Sequence, residues 1–577
     1  RRPAGIDVTK RDDVLAFAAV DIDLPLAAGT NRSYVEPFVG TEHPPRHHHR
    51  ERHASTGHSS SLEKSTTTNQ RNFGSCHNQT GCGHPPPHHR RRQAKRLAKR
   101  NSFQETNERL NWTRNRRQSR RTVLTNNFKP SALRSVWVLG MILGIGQALG
   151  QNPPIQIPFE LHDKSLRLTE WARQPMLLNP VALSFDYEGR LYVVETARRG
   201  TVDIDIRSHK EWVIDDLSSE TIPQLRRMFR TKMAPELSEQ NKSWLADRNG
   251  DGSHDWRDLM AIKERIHMLQ DTDDDGKADV AKVFAEGFNQ EINGVMAGVL
   301  PYRGDVFATI YPDVWKLNDI DEDGYADKRE VFFHGFGVHA AFDGHDLHGL
   351  TVGPDGKLYF SVGDNGFSVR TREGRLLHHP NTGGVLRCNW DGSDLEVFAT
   401  GLRNVQELAF DEFGNLFSVD NDGDIREERE RFVYITEGSD SGWRLNWQFK
   451  KGGWPGRTQT PEYCPWIDEK LWLPHWPGQA AYITPPMSEF SVGPGGFKYN
   501  PGTALSDRYK GAFFLCEFPV QKVTAFKTEP KGAYFKMVDE HIFLFGMMAS
   551  AINFGPDGSL YIANWDGKWQ PNELGSI

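Results

Sequence analysis

Cysteine is scarce in this chain, with five in 577 residues. Cys76 and Cys82 lie near the start, while Cys388, Cys464 and Cys516 stand singly, without CxxC or CxxCH spacing. That excludes an evident zinc ribbon or covalently attached haem and leaves at most one disulfide among the last three. Long apolar runs are also missing after Gln151, so nothing there reads as a membrane span. The apolar stretch at residues 136–145 follows a basic flank (Lys129, Arg134) and precedes Ala148-Leu149-Gly150. This is the three-part order of a secretory signal peptide, and it predicts cleavage after Gly150 and a periplasmic or secreted mature chain without a transmembrane span.

Charge divides the chain at the same place. Residues 1–130 carry 24 Lys and Arg against 11 Asp and Glu, leaving 46 against 65 for the remainder. The first part is rich in His, Arg, Ser, Thr and Asn without apolar periodicity, and predicts a disordered extension. Its basic run at residues 90–100 has the charge to neutralise phosphates, but composition favours an unstructured or spuriously translated segment, and no nucleic-acid partner is assigned. No Met precedes Met141. The expectation is a misplaced start, the alternative a cytoplasmic extension ahead of an uncleaved anchor.

Repetition dominates residues 151–577. Six segments, starting near Pro180, Gly294, His348, Val405, Gly495 and Ser550, each read as a short apolar strand, a turn with Gly and Asp, Pro or Asn, and a second strand rich in Leu, Tyr, Phe and Val. The fold class expected is all-β: a six-bladed β-propeller with a helical insertion in the first blades. The insertion is placed at about 215–265 from its helix-forming composition. A second, rich in Trp and Pro, is placed at about 442–491, where Trp443, Trp447, Trp454, Trp466, Trp472 and Trp476 form either a sugar-stacking platform or the packing of an irregular loop. Residues 159–171 are the expected strand that zips the last blade.

Three acidic loops have calcium-ligand spacing. Asp271, Asp273, Asp275 and Asp279 surround Gly276, and Asp319, Asp321, Asp323 and Asp327 surround Gly324, 48 residues on. Alternate oxygens around a glycine turn can converge on one hard cation. The third loop, Asp247, Asn249, Asp251, Asp255 and Asp258, is the most complete. The first two are expected on equivalent hairpins of successive blades.

The stretch HGFGVHAAFDGHDLHGLTVGPDGKLYFSVGD gathers His334, His339, His345, His348, Asp343 and Asp346 before a turn and an apolar strand, where rigid frames display chemistry. Its latter part, with VLRCNWDGSDLEVFATGLRNVQELAF and SAINFGPDGSLYIANWDG, resembles the soluble glucose/sorbosone dehydrogenases, six-bladed propellers that use pyrroloquinoline quinone and calcium. The order of signal peptide, NPVALSFDYEGRLYVVETARRG, acidic loops, GLRN and last blade is similar to a membrane-bound dehydrogenase domain of planctomycetes and verrucomicrobia, often followed there by a cytochrome c domain.

The resemblance implies that His345 is the catalytic base for a sugar hydroxyl, and that Arg403 and Asn404 face the quinone oxygens. His339, His348, Asp346 and Trp443 are expected substrate contacts. The chain departs from the pattern at Pro519, Met548 and Ser550, where the family has a lysine and an arginine pair that neutralise the quinone carboxylates, and at Gly344, where it has an aspartate. Each lost charge-assisted bond is worth about 1.5–3 kcal/mol. Three functions follow: a calcium-dependent sugar or alcohol dehydrogenase passing electrons to a quinone or a cytochrome c acceptor; a glycan- or protein-binding propeller; and a calcium-dependent lactonase, whose channel metal would draw on Asp343, Asp346, Asp364, Asp420 and Asp422.

Overall fold

A computed structural model of the chain describes residues 159–577, apart from 341, 343, 422–427, 446–467, 503, 567–570 and 572. Among the described residues there are seven sheets. Six succeed one another, antiparallel except for the parallel pairing of Glu396–Leu402 with Ser439–Asp440 in the third, and each of the six repeats supplies the first two strands of one. The seventh is the separate hairpin Phe367–Arg370 with Leu376–His379. The pairs are Pro180–Phe185 with Leu191–Glu195, Gly298–Tyr302 with Asp305–Ile310, Leu347–Val352 with Leu358–Val362, Ala409–Phe410 with Leu416–Asp420, Pro494–Tyr499 with Phe513–Glu517, and Ala549–Phe554 with Leu560–Asn564. The architecture is propeller-like and all-β.

The second strands explain the apolar runs. Leu191–Glu195, Leu358–Val362, Leu416–Asp420 and Phe513–Glu517 are buried at every position, because both faces of each sheet meet a neighbour. Side chains alternate between the two faces with period two. Thus Leu358, Phe360 and Val362 pack with Phe307, Phe332 and Phe333 of the second sheet, while Tyr359 packs with Leu408, Leu416 and Val433 of the fourth. Similar clusters join every sheet to the next, and one places Leu183 and Val193 of the first sheet with Ala551 and Ala563 of the sixth. A cavity of about 240 Å³ touches Ser184, Gly298, Thr351, Glu407, Lys498 and Asn553, so it borders all six repeats.

The zipping strand lies elsewhere than the sequence pattern implies. Glu160–Leu161 pairs with Tyr534–Phe545 on the outer edge of the fifth sheet. The sixth sheet is extended instead by the chain end, with Ser576 bridging Asn564 and Arg173, and Ile577 exchanging backbone hydrogen bonds with Ala172. A short alternating segment suits any exposed edge, so its pattern does not select the sheet.

The helical insertion falls between Leu191–Glu195 and Glu264–Gln270 of the first sheet, with its longest helix at Ile222–Lys232. Among the described residues no helix is long and apolar enough to cross a membrane. Cys388 and Cys516 are buried free thiols. Both ends of the insertion are tied by Arg198 and Glu264. The fully buried Arg198 guanidinium donates to the carbonyls of Leu259, Ile262, Gln290 and Asn293 at 2.7–3.3 Å. Glu264 accepts from Thr196 Oγ1 and from the N–H groups of Ala197, Arg198 and Met296. Burial pushes its carboxyl up to about 7, against the pull of Arg198. Removing the guanidinium leaves four carbonyl acceptors unmet and deprives the buried Glu264 of a compensating charge. Arg198→Met is therefore expected to lower stability by about 3–5 kcal/mol, read from the urea unfolding midpoint; a change below about 1 kcal/mol would contradict this role.

Candidate functional site

Four second strands lead to a buried carboxylate at one end of the sheets: Glu195, Asp364, Asp420 and Glu517. Three of these secure the backbone of the loop entering their own sheet. Glu195 accepts from the Leu178 N–H, Asp420 from the Arg403 and Asn404 N–H groups, and Glu517 from the Ser491 N–H. In the third sheet the acid holds an imidazole instead. Asp364 Oδ1 lies 2.7 Å from His345 Nδ1, and Oδ2 accepts from Trp443 Nε1 at 2.8 Å.

Burial alone would raise the Asp364 carboxyl. The His345 charge and hydrogen bond, Arg403 and Trp443 outweigh it, and together they hold the carboxyl below its ordinary range. A carboxylate only accepts, so the neutral imidazole keeps its proton on Nδ1 and carries its lone pair on Nε2. Gly363 permits this approach: a Cβ there would meet the His345 carbonyl oxygen at 2.6 Å.

Arg403 and Asn404 come to the same place. The Arg403 carbonyl accepts from the Asp364 N–H at 2.7 Å. Arg403 Nη1 donates to Asn421 O and Oδ1, and its Cζ lies 5.4 Å from the rings of both Phe342 and Trp443. Asn404 Nδ2 donates to Gly344 O at 3.0 Å, and Asn404 Oδ1 is buried without a hydrogen-bond partner among the described residues. A buried amide oxygen of this kind is a ready acceptor for a hydroxyl.

The other expected contacts are engaged with protein. His339, 2 % exposed, has Nδ1 2.9 Å from Asp216 O and Nε2 3.2 Å from Asn381 Oδ1. His348 is held neutral, burial pushing it down to about 4, with Nε2 3.1 Å from Gly344 O. Asp346 Oδ1 accepts from the Val295 N–H, tying down the entry to the second sheet. His334 pairs with Asp313 at the end of the second sheet. Trp443 is fully buried, and Trp472 is 9 % exposed. Asp343, Asp422, Trp447, Trp454 and Trp466 lie outside the described residues. Sequence reasoning treated Asp364 only as a channel ligand; an acid at or just past the end of four second strands was the available signal for its orienting role.

The acidic loops divide. Asp271, Asp273 and Asp275 bring carboxylate oxygens within 4.8 Å of one another, as do Asp319, Asp321 and Asp327. Both loops join the third and fourth strands of their sheets, the first and the second, in matching positions. Gly276 (φ 84°) and Gly324 (φ 88°) occupy the left-handed conformation that the turns require. Asp323 accepts from the Tyr325 N–H, and Asp279 accepts from Thr272. In the third loop, among the described residues, the carboxylates form no such group. Asp247 accepts from the Gly250 and Gly252 N–H groups, Asn249 from the Asp251 N–H, and Asp251 pairs with Arg257. Asp255 and Asp258 form the capping box of the short helix Trp256–Met260.

The structure also describes the three positions where the resemblance expects quinone-anchoring cations. Pro519 sits in the turn Phe518–Val520, Met548 is buried, and Ser550 Oγ donates to Pro180 O. None provides a cation for a quinone carboxylate, so these residues do not fit the cofactor in the family's pose.

Residues 159–568 match the family described as a domain of unknown function, DUF7133. No curated protein sequence matches the chain. Among solved structures, the chain is similar to the quinone-bound aldose sugar dehydrogenase of Streptomyces coelicolor, at 16 % identity and TM-score 0.40 over 72 % of this chain and 96 % of that one. It is also similar to the quinone domain of pyranose dehydrogenase from Coprinopsis cinerea, at 12 % identity and TM-score 0.41 over 74 % and 98 %.

A depressed Asp364 carboxyl contributes stability that is complete above the unfolded value of about 3.9 and is lost as pH falls through the folded one. Asp364→Asn is expected to remove that contribution, so urea midpoints should fall less steeply with acid in the variant below about pH 4. Parallel acid profiles would mean that the native carboxyl is not held charged.

Proposed function

The chain belongs to the DUF7133 family, and we propose that it is an exported, calcium-binding, six-bladed propeller acting as a sugar or alcohol dehydrogenase. The observation that carries this reading is the buried His345–Asp364 pair at 2.7 Å. Asp364 fixes the tautomer, Nε2 takes the proton of a substrate hydroxyl, and the carboxylate stabilises the imidazolium that forms. Arg403 offers a cation beside the oxygen as it gains negative charge, and Asn404 Oδ1 accepts a neighbouring hydroxyl. With Pro519, Met548 and Ser550 at the anchoring positions, no step is derived through a quinone held by this chain. The hydride on the carbinol carbon passes to a two-electron acceptor that enters the proposal as a partner, a diffusible quinone reduced to its quinol, and a cytochrome c takes part only as the later one-electron oxidant of that quinol.

The lactonase reading loses support from the same residues. Asp346, Asp364 and Asp420 belong to no group of three ligand atoms within 4.8 Å of one another among the described residues, unlike the two hairpin loops. Burial of Trp443 and Trp472 favours packing for those two, whereas Trp476 is 60 % exposed and leaves a stacking surface open at that position.

Two experiments test the proposal. The first screens sugars and alcohols with an artificial electron acceptor. His345→Gln is expected to lower kcat by about 10²–10⁴ with little change in KM, the range for loss of a general base. Unchanged turnover in the variant would sink the assignment of His345. The second is calorimetric. Calcium at about 100 times its Kd is expected to add about 2.7 kcal/mol of stability, and Asp271→Asn with Asp319→Asn to abolish the effect. A melting temperature indifferent to calcium and chelator would remove the ion from the account.

A further inference from the structure

We infer that the helical insertion of the first sheet is a working part of the site, with Phe342 the positioning residue through which it fixes the His345 ring. The inference rests on the reading of His345 as a base. Its first support is the composition of the insertion's own core. Ile204, Ile206, Trp212, Leu225, Phe229 and their neighbours pack with Ile292 and with Val338, Ala340 and Phe342, and among the described residues this apolar cluster includes none from a strand. The outside members are thus Ile292 and three alternate residues of the segment leading to His345. The next side chains along the chain, beginning with Leu347, return to the core between the second and third sheets.

Polar contacts pin the same segment. Asp216, on the short helix Val213–Leu217, accepts from the Ala340 N–H at 2.6 Å, and its own carbonyl lies 2.9 Å from His339 Nδ1. Phe342 then touches three groups at once. The Arg207 guanidinium of the insertion lies 4.1 Å from its ring centroid, Arg403 lies 5.4 Å away, and the His345 imidazole 4.7 Å away at 46°. The Phe342 carbonyl also accepts from the His345 N–H at 2.7 Å.

The physical need is simple. The bond to Asp364 fixes one edge of the imidazole but permits the ring to swing about that bond. An aromatic surface packed against the ring limits the swing, and so fixes where Nε2 points. A misplacement near 1 Å in such a site costs on the order of 10²-fold in rate.

The test compares Phe342→Met, which keeps bulk but removes the planar face, with Leu225→Val, which trims the same core away from His345. Each full-length protein is labelled with 15N-histidine, and the His345 ring signals are identified by their loss in His345→Gln. Phe342→Met is expected to shift and broaden the His345 ring signals while the Nδ1–H tautomer is retained, and to lower kcat by about 100-fold at near-constant KM. Leu225→Val should leave both unchanged. The inference fails if the His345 signals in folded Phe342→Met match wild type, or if Leu225→Val shifts them equally. Should Phe342→Met not fold, Arg207→Met, which removes the guanidinium both from the ring and from its pair with Asp205, is read in the same way, with Asp205→Asn as the control for the lost pair. Absence of any turnover by the wild type would refute the dehydrogenase reading, while the ring signals still decide the positioning role.

Discussion

A strand buried on both faces ends where water is scarce, and the loop beside it still carries N–H groups that must be satisfied. In this chain a carboxylate meets that demand in the first, fourth and fifth sheets, as Glu195, Asp420 and Glu517 secure the backbone entering their own sheets. Asp364 occupies the corresponding place in the third sheet, but its two oxygens receive the imidazole of His345 and the indole of Trp443. The same structural device is thereby turned toward a side chain with proton chemistry. Rigidity comes from the flanking cores, since Leu358, Phe360 and Val362 are locked between the second and third sheets.

Much of the fold was legible because the second strands must be apolar throughout and must follow a turn. That combination recurs in sequence and marks each sheet. Outer strands carry weaker signals: Glu264–Gln270 alternates buried and exposed positions and has no repeated text. The edge segment Glu160–Leu161 was recognisable as a strand, yet its partner in the fifth sheet depends on which edge tertiary packing leaves open. His345, Arg403 and Asn404 were singled out by the resemblance, and the structure gathers them around Asp364 and Gly344. Phe342 was not, because a single aromatic in an irregular loop has no period to betray its partners.

Acidic spacing proved informative only with its context. The loops at Asp271 and Asp319 join paired strands and gather their carboxylates. The richer loop at Asp247 leads into a helix, and Asp255 and Asp258 are drawn into capping it. The same competition explains Trp443, whose indole N–H is consumed by Asp364 inside a packed wall. Side chains with two possible roles were decided by the donors and acceptors that the fold placed beside them.

The central claim is that His345 presents Nε2 to a substrate hydroxyl while Asp364 holds Nδ1. The most direct measurement is a crystal structure of the protein with a bound sugar or sugar alcohol. The account predicts a ligand hydroxyl at about 2.6–3.2 Å from His345 Nε2, with the bond to Asp364 retained. A sugar seated instead in the axial cavity beside Glu407 and Lys498, with His345 contacting only protein, would contradict it.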